Sequence, residues 1–176
     1  MTQNPESTSF GTQQVTPDEK TNLVIGVFEN VATRYDIMND VMSGGIHRIW
    51  KDKFIKHIAP KPNDKILDVA GGTGDIAFRH YKHTNGQADV TVSDINPAML
   101  AVGKDRAYDK AIVNMDWVEA NAESLPFKDD EFDIYTIAFG LRNVTHIDNA
   151  LREAARVLKK DGRFYCLEFS HVDNPI

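Results

Sequence analysis

The 176 residues suffice for one hydrophobic core, and an apolar share of 41% is ordinary for a globular chain. A net charge of −6 argues against general affinity for nucleic acid, and no apolar run approaches the roughly 18 residues of a membrane-spanning helix. The lone Cys166 rules out an intramolecular disulfide and a cysteine zinc site. With no basic-then-apolar signal at the N-terminus, the expected compartment is the cytoplasm.

Residues 1–17 are polar and predict a disordered tail. A helical segment over residues 18–62 follows and forms a cap on the substrate side. Its first helix begins near Asp18 and carries Leu23, Val24, Val27, Phe28, Val31 and Tyr35 at spacings of three and four. Ser43-Gly44-Gly45 breaks the chain, and a second helix runs from Ile46 to Ile58 until Pro60 and Pro62 end it. This second helix sets apolar anchors among cations. It suits either packing on a sheet with its lysines solvated, or contact with an anionic membrane surface. His47 and His57 stand ten residues apart, which is not a metal-ligand spacing.

Residues 63–176 alternate strand and helix: Lys65–Ala70, Asp75–Tyr81, Val90–Asp94, Pro97–Tyr108, Asp116–Ala120, Phe132–Phe139, Asp148–Leu158 and Arg163–Phe169. The alternation predicts an α/β fold, a parallel sheet with helices on both faces and a ligand crevice at the carboxyl ends of the strands.

The first strand runs into Ala70-Gly71-Gly72-Thr73-Gly74-Asp75. Glycines there let the backbone approach a ligand closely, and the next helix points free N–H groups at it. Asp94 ends the second strand, 20 residues after Gly74, where a carboxylate can accept from both hydroxyls of an adenosine ribose. These features alone suit NAD or S-adenosyl-L-methionine. Three others favour the latter. Asp68 lies inside the first strand, where methyltransferases carry an acid that meets the turn amides or the amino-acid end of the cofactor. Asn121 and Ala122 follow the third strand, where a short polar side chain can bond the adenine edge, and Pro126 fixes the loop. About 60 residues precede the first strand, whereas dinucleotide domains commonly start at it.

Further segments are more specific: Tyr35-Asp36-Ile37-Met38-Asn39, Ser43 through Lys51, Asp94-Ile95-Asn96-Pro97, Asn121-Ala122-Glu123, Leu125-Pro126-Phe127, Phe139-Gly140-Leu141-Arg142-Asn143-Val144 and Leu167-Glu168-Phe169-Ser170. On these the chain resembles the UbiE family of ubiquinone/menaquinone-biosynthesis C-methyltransferases, from about Asn22 to Ser170. The resemblance implies a Rossmann-like doubly wound sheet of class I methyltransferase type with two N-terminal helices. It implies S-adenosyl-L-methionine as cofactor, held by Asp68, Gly71, Gly72, Thr73, Gly74, Asp94, Asn121, Ala122 and Ala138. The implied substrate is a prenylated quinol methylated at a ring carbon, with Tyr35, Asn39 and Asn143 on the substrate side. Arg142 would stabilise the oxyanion of the neighbouring hydroxyl, with His146 as an alternative base.

The resemblance further admits peripheral contact with the inner membrane surface, a homodimer, or a complex with other quinone-biosynthesis enzymes. Ala138 replaces a family serine, and Lys160-Asp161-Gly162 replaces a proline-glycine-glycine turn. Family members continue beyond the point matching Ile176 with two more strands, an antiparallel edge included. A methyltransferase for another hydrophobic phenolic acceptor, a cofactor-binding module without turnover, and an NAD-linked oxidoreductase are the alternatives.

Overall fold

The computed structural model describes residues 8–10, 13–16 and 46–168. The first predicted helix, with Tyr35 and Asn39, and the Ser43-Gly44-Gly45 break lie outside the described residues, as does Ser170. Within the predicted tail, strands β1 (Thr8–Phe10) and β2 (Gln13–Val15) pair antiparallel.

Helix α1 (Ile46–Ile58) buries His47, Lys51, Ile55 and Ile58 along one stripe, and Lys56 and His57 in its last turn suit the negative end of its dipole. Strand β3 (Lys65–Val69) leads into helix α2 (Asp75–His83), then β4 (Asp89–Asp94), α3 (Pro97–Asp109) and β5 (Met115–Glu119). Asn96 starts α3: its side-chain oxygen accepts from the amides of Ala98 and Met99, and Pro97 presets the first turn. Strand β6 (Phe132–Ala138), a 3-10 turn (Leu141–Asn143), helix α4 (Ile147–Val157) and β7 (Leu158–Leu167) complete the described part.

The five strands β3–β7 form one parallel sheet in the order β5-β4-β3-β6-β7. Side-chain alternation gives the sheet two cores. Ile66, Ile134, Val90 and Val92 pack with Ile55, Ile58, Ile76 and Leu100 from α1, α2 and α3. Leu67, Val69, Tyr135 and Ile137 pack with Ala150, Ala154 and Val157 from α4. Strand order reverses between β3 and β6, so a crevice opens at their carboxyl ends. Strand β7 begins earlier than the predicted Arg163. Phe132 pairs with Leu158 and Ile134 with Arg163, so Lys159 to Gly162 bulge out of the ladder, and this polar bulge reads as a loop in sequence.

Candidate functional site

The glycine turn is built for close contact. Gly71 donates its N–H to the Ser93 carbonyl at 3.1 Å, and a Cβ there would lie 2.7 Å from Val92 Cγ1 and 2.9 Å from Asp68 Oδ2. Gly74 caps α2 at φ 83°, and a Cβ on it would strike the Trp117 ring at 2.6 Å. Gly74 therefore serves packing as well as the turn. Thr73 is buried, and its hydroxyl accepts from Arg106 of α3 at 3.1 Å. Ala70 and Phe139, immediately after β3 and β6, take φ values of 52° and 57°, a region that costs a non-glycine residue about 1–3 kcal/mol. Both strand ends at the crevice are thus strained.

Asp94 gathers the turn. Its Oδ2 accepts from the Gly72 amide at 2.8 Å and its Oδ1 from the Asn96 amide at 2.9 Å. Burial pushes its carboxyl above the usual range, against the pull of the Asn96, Gly72 and Ile95 amides. Asp68 is 1% exposed and accepts from the Thr136 hydroxyl at 2.7 Å, while its Oδ2 has no hydrogen-bond partner. Burial raises its pKa to about 7, and the Thr136 bond only partly opposes that.

A cleft lies between three lips: Val69, Ala70, Asp94 and Ile95; Ala120 to Glu123; and Gly140 with Asn143 to Thr145. It brings together Asp94, Asn121, Ala122 and Asn143 of the sequence-predicted site. Asp68, the residues Gly71 to Gly74, and Ala138 are not in its lining; the turn reaches it through the Gly72–Asp94 bond. Ala138 packs instead against the core that includes α1 and α2. The Asn121 side-chain oxygen accepts from the Glu123 amide at 2.9 Å, which shapes the lip. A cleft-facing carboxylate steered by backbone amides, beside a side-chain amide, is a donor and acceptor set that fits a ribose and a base edge.

Arg142 stands beside this cleft, outside its lining. Its Nη1 is 3.2 Å from Glu168 Oε1, and the Arg142 amide donates to Glu168 Oε2 at 3.3 Å. The guanidinium lies 5.9 Å from the Phe139 ring centre. His146 precedes α4 as its N-cap and is exposed.

Two residues outside the predicted set matter here. Lys51 of α1 is buried, its Nζ 2.6 Å from Asp75 Oδ2 and 5.9 Å from the Phe139 ring centre. That corrects the expectation that the lysines of this helix are all solvated or lipid-facing. Its place in the stripe His47, Lys51, Ile55, Ile58 was the available signal. Arg79 joins Asp75 at 3.2 Å and also pairs with Asp52, so charges fasten α1 to the start of α2. Glu123, on the second lip, accepts from the Thr145 and His146 amides. No local pattern reveals partners so distant in sequence.

Among known proteins, the profile of the ubiE/COQ5 methyltransferase family matches residues 13–176. The ubiquinone/menaquinone biosynthesis C-methyltransferase UbiE of Zymomonas mobilis subsp. mobilis is 61% identical over 95% of this chain and 68% of its own length. The UbiE protein of Brucella abortus is 58% identical over 96% of this chain and 64% of its own. The chain thus spans about two thirds of the length of these relatives. A SAM-dependent methyltransferase from Aquifex aeolicus superposes with a TM-score of 0.64 at 19% identity, covering 72% of this chain and 68% of the other. At that identity the match speaks for the fold alone.

Proposed function

The chain belongs to the ubiE/COQ5 methyltransferase family, and from that premise we propose that it takes part in transferring a methyl group from S-adenosyl-L-methionine to a ring carbon of a prenylated quinol. The observation that carries the cofactor half is the Asp94 carboxylate, which faces the cleft while the Gly72 and Asn96 amides fix it. A carboxylate has about four acceptor sites, so it can hold both ribose hydroxyls as well as these amides. Asn121 and Ala122 would border the adenine, and Gly71 to Gly74 with Asp68 the amino-acid end.

When bound, the cofactor supplies a methyl group on a positively charged sulfur, already a good leaving group. The residues of this chain then need to align the acceptor and exclude water. An acceptor carbon gains nucleophilicity as the neighbouring hydroxyl gives its proton to water or to an imidazole, and the methylated ring carbon then releases its own hydrogen to water. Arg142 would stabilise that oxyanion without acting as the base, because a guanidinium stays charged. Asn143, on the same turn and in the cleft lining, would orient the hydroxyl.

No helix among the described residues is long and apolar enough to cross a membrane. Peripheral contact is supported by α1, where Ile46, Ile49 and Trp50 are 49%, 56% and 40% exposed near the exposed Lys53 and Lys56. Cations near an anionic surface contribute about 1 kcal/mol each. Sedimentation with phosphatidylglycerol vesicles should retain the protein, and replacing Ile49 and Lys53 together should release it; equal retention on phosphatidylcholine would refute the electrostatic part.

Calorimetric titration with S-adenosylhomocysteine, with NADH as control, tests the cofactor. Saturable binding of the former alone agrees with the reading, and no binding by folded protein rejects it. Transfer of labelled methyl to demethylmenaquinol or a polyprenyl benzoquinol then tests the acceptor.

A further inference from the structure

We infer that Glu123 is a positioning residue that sets the width of the cleft, an inference resting on the reading of that cleft as the cofactor site. Its Oε1 accepts from the backbone N–H groups of Thr145 and His146, each at 3.1 Å, across 22 and 23 residues of chain. Glu123 and Thr145 lie on opposite lips, so these bonds span the opening. They also meet the start of a helix. His146 is the N-cap of α4, yet its side chain makes no capping hydrogen bond. A helix start exposes amides that need acceptors, and its positive end favours a carboxylate. Glu123 does not replace that side-chain bond, which would meet amides further into the first turn; it takes the N-cap amide and the one before it, and sets a carboxylate at the positive end of α4.

The remainder of the same loop is anchored independently. Leu125 donates its amide to Glu153 Oε2 at 2.7 Å. Arg156 donates to the Leu125 and Phe127 carbonyls at 2.9 and 2.7 Å. None of these residues lines the cleft. The loop beyond Glu123 therefore stays on α4 without it, and what Glu123 adds is the link at the mouth.

Three variants separate positioning from general stability. In Glu123→Ala, amide hydrogen exchange at Thr145 and His146 should accelerate, and affinity for S-adenosylhomocysteine should fall about tenfold. Glu123→Gln keeps an acceptor oxygen in place and should restore slow exchange and most of the affinity. Arg156→Met should lower the unfolding temperature and leave the affinity unchanged below it. Wild-type exchange at the two amides in Glu123→Ala would overturn the proposal. So would a Glu123→Gln protein as weak as Glu123→Ala, because charge on the ligand and not the bridge would then be at work. If the wild-type protein fails to bind S-adenosylhomocysteine, the cofactor reading falls, while the exchange comparison still decides the bridge.

Discussion

Replacing Asp75 should destabilise the protein more than replacing Lys51, although each is the other's partner. The Lys51 side chain is 8% exposed and that of Asp75 is 35% exposed, with 2.6 Å between them. Burial alone would raise the Asp75 carboxyl, yet Lys51 and Arg79 together hold it below its usual range. In Asp75→Asn, Lys51 is left buried without an anion, a one-sided loss that costs about 3–5 kcal/mol. The partial exposure of Asp75 favours the lower end of that range. In Lys51→Met, Asp75 keeps Arg79, and an apolar chain of similar length fills the space beside Phe139. Such an exchange costs roughly 1 kcal/mol, since the carboxylate that remains is partly exposed and still paired with Arg79. The difference is about 2 kcal/mol, and in a domain of this size each kcal/mol moves the melting temperature by about 2–4 °C. Asp75→Asn should therefore melt roughly 4–8 °C below Lys51→Met in thermal scans at pH 7. Equal melting temperatures, or the reverse order, would refute the claim that the uncompensated lysine decides the cost.

Asp94→Ala removes the acceptor for two backbone amides and for the proposed ribose hydroxyls. Its affinity for S-adenosylhomocysteine should fall by about 1.5–3 kcal/mol, the contribution of a bond to a charged group, and unchanged affinity would exclude the assignment. His80 is fully buried, neither ring nitrogen has a hydrogen-bond partner, and burial lowers its pKa from 6.5 to about 3. The unfolded chain binds this proton below pH 6.5 and the folded chain only near pH 3, so stability falls as pH drops through that window, by up to about 1.4 kcal/mol per pH unit. His80→Leu should flatten this limb in urea unfolding at stepped pH, and an unchanged slope would reject the account. Arg142→Ala loses a half-exposed ion pair worth under about 1 kcal/mol, so the protein should fold and bind cofactor product but lose methyl transfer; retained turnover would remove Arg142 from the mechanism.

The elements were legible wherever period and punctuation agreed. Ile46–Ile58 follows from its apolar spacing and from Pro60, and Pro97 with Asn96 marks the start of α3. Strand β3 reads from Lys65-Ile66-Leu67-Asp68-Val69 and the glycines after it. The start of β7 was hidden because Lys159 to Gly162 look like a turn while the chain still follows β6. Within the candidate site, the place of Asp94 in the cleft lining was legible because it depends on a strand end and a fixed distance from the turn. The other assignments depend on which way a side chain turns. Thr73 faces Arg106, and Asp68 lies beneath Gly71 on the face of the sheet shared with α2. Arg142 and Asn143 are neighbours on one 3-10 turn, whose three residues per turn point adjacent side chains about 120° apart. Asn143 consequently lines the cleft while Arg142 meets Glu168.

That divergence makes Phe139 the joint between the parts of the site. Its backbone is held at φ 57° after β6, with its amide donating to the Leu167 carbonyl at 2.7 Å, so it cannot relax without disturbing the β6–β7 ladder. Its ring has Lys51 and Arg142 each at 5.9 Å. An aromatic face attracts both cations, by about 0.5–2 kcal/mol depending on exposure, and Lys51 is the more buried of the two. The strained residue that precedes Gly140 of the cleft lining thus also meets the cation of α1 and the cation proposed for catalysis. Asp75 joins the same group through Lys51, at the first turn of the helix that follows the glycines. The position of Arg142 is accordingly set from two sides, by Glu168 after β7 and by a ring whose place depends on the end of β6.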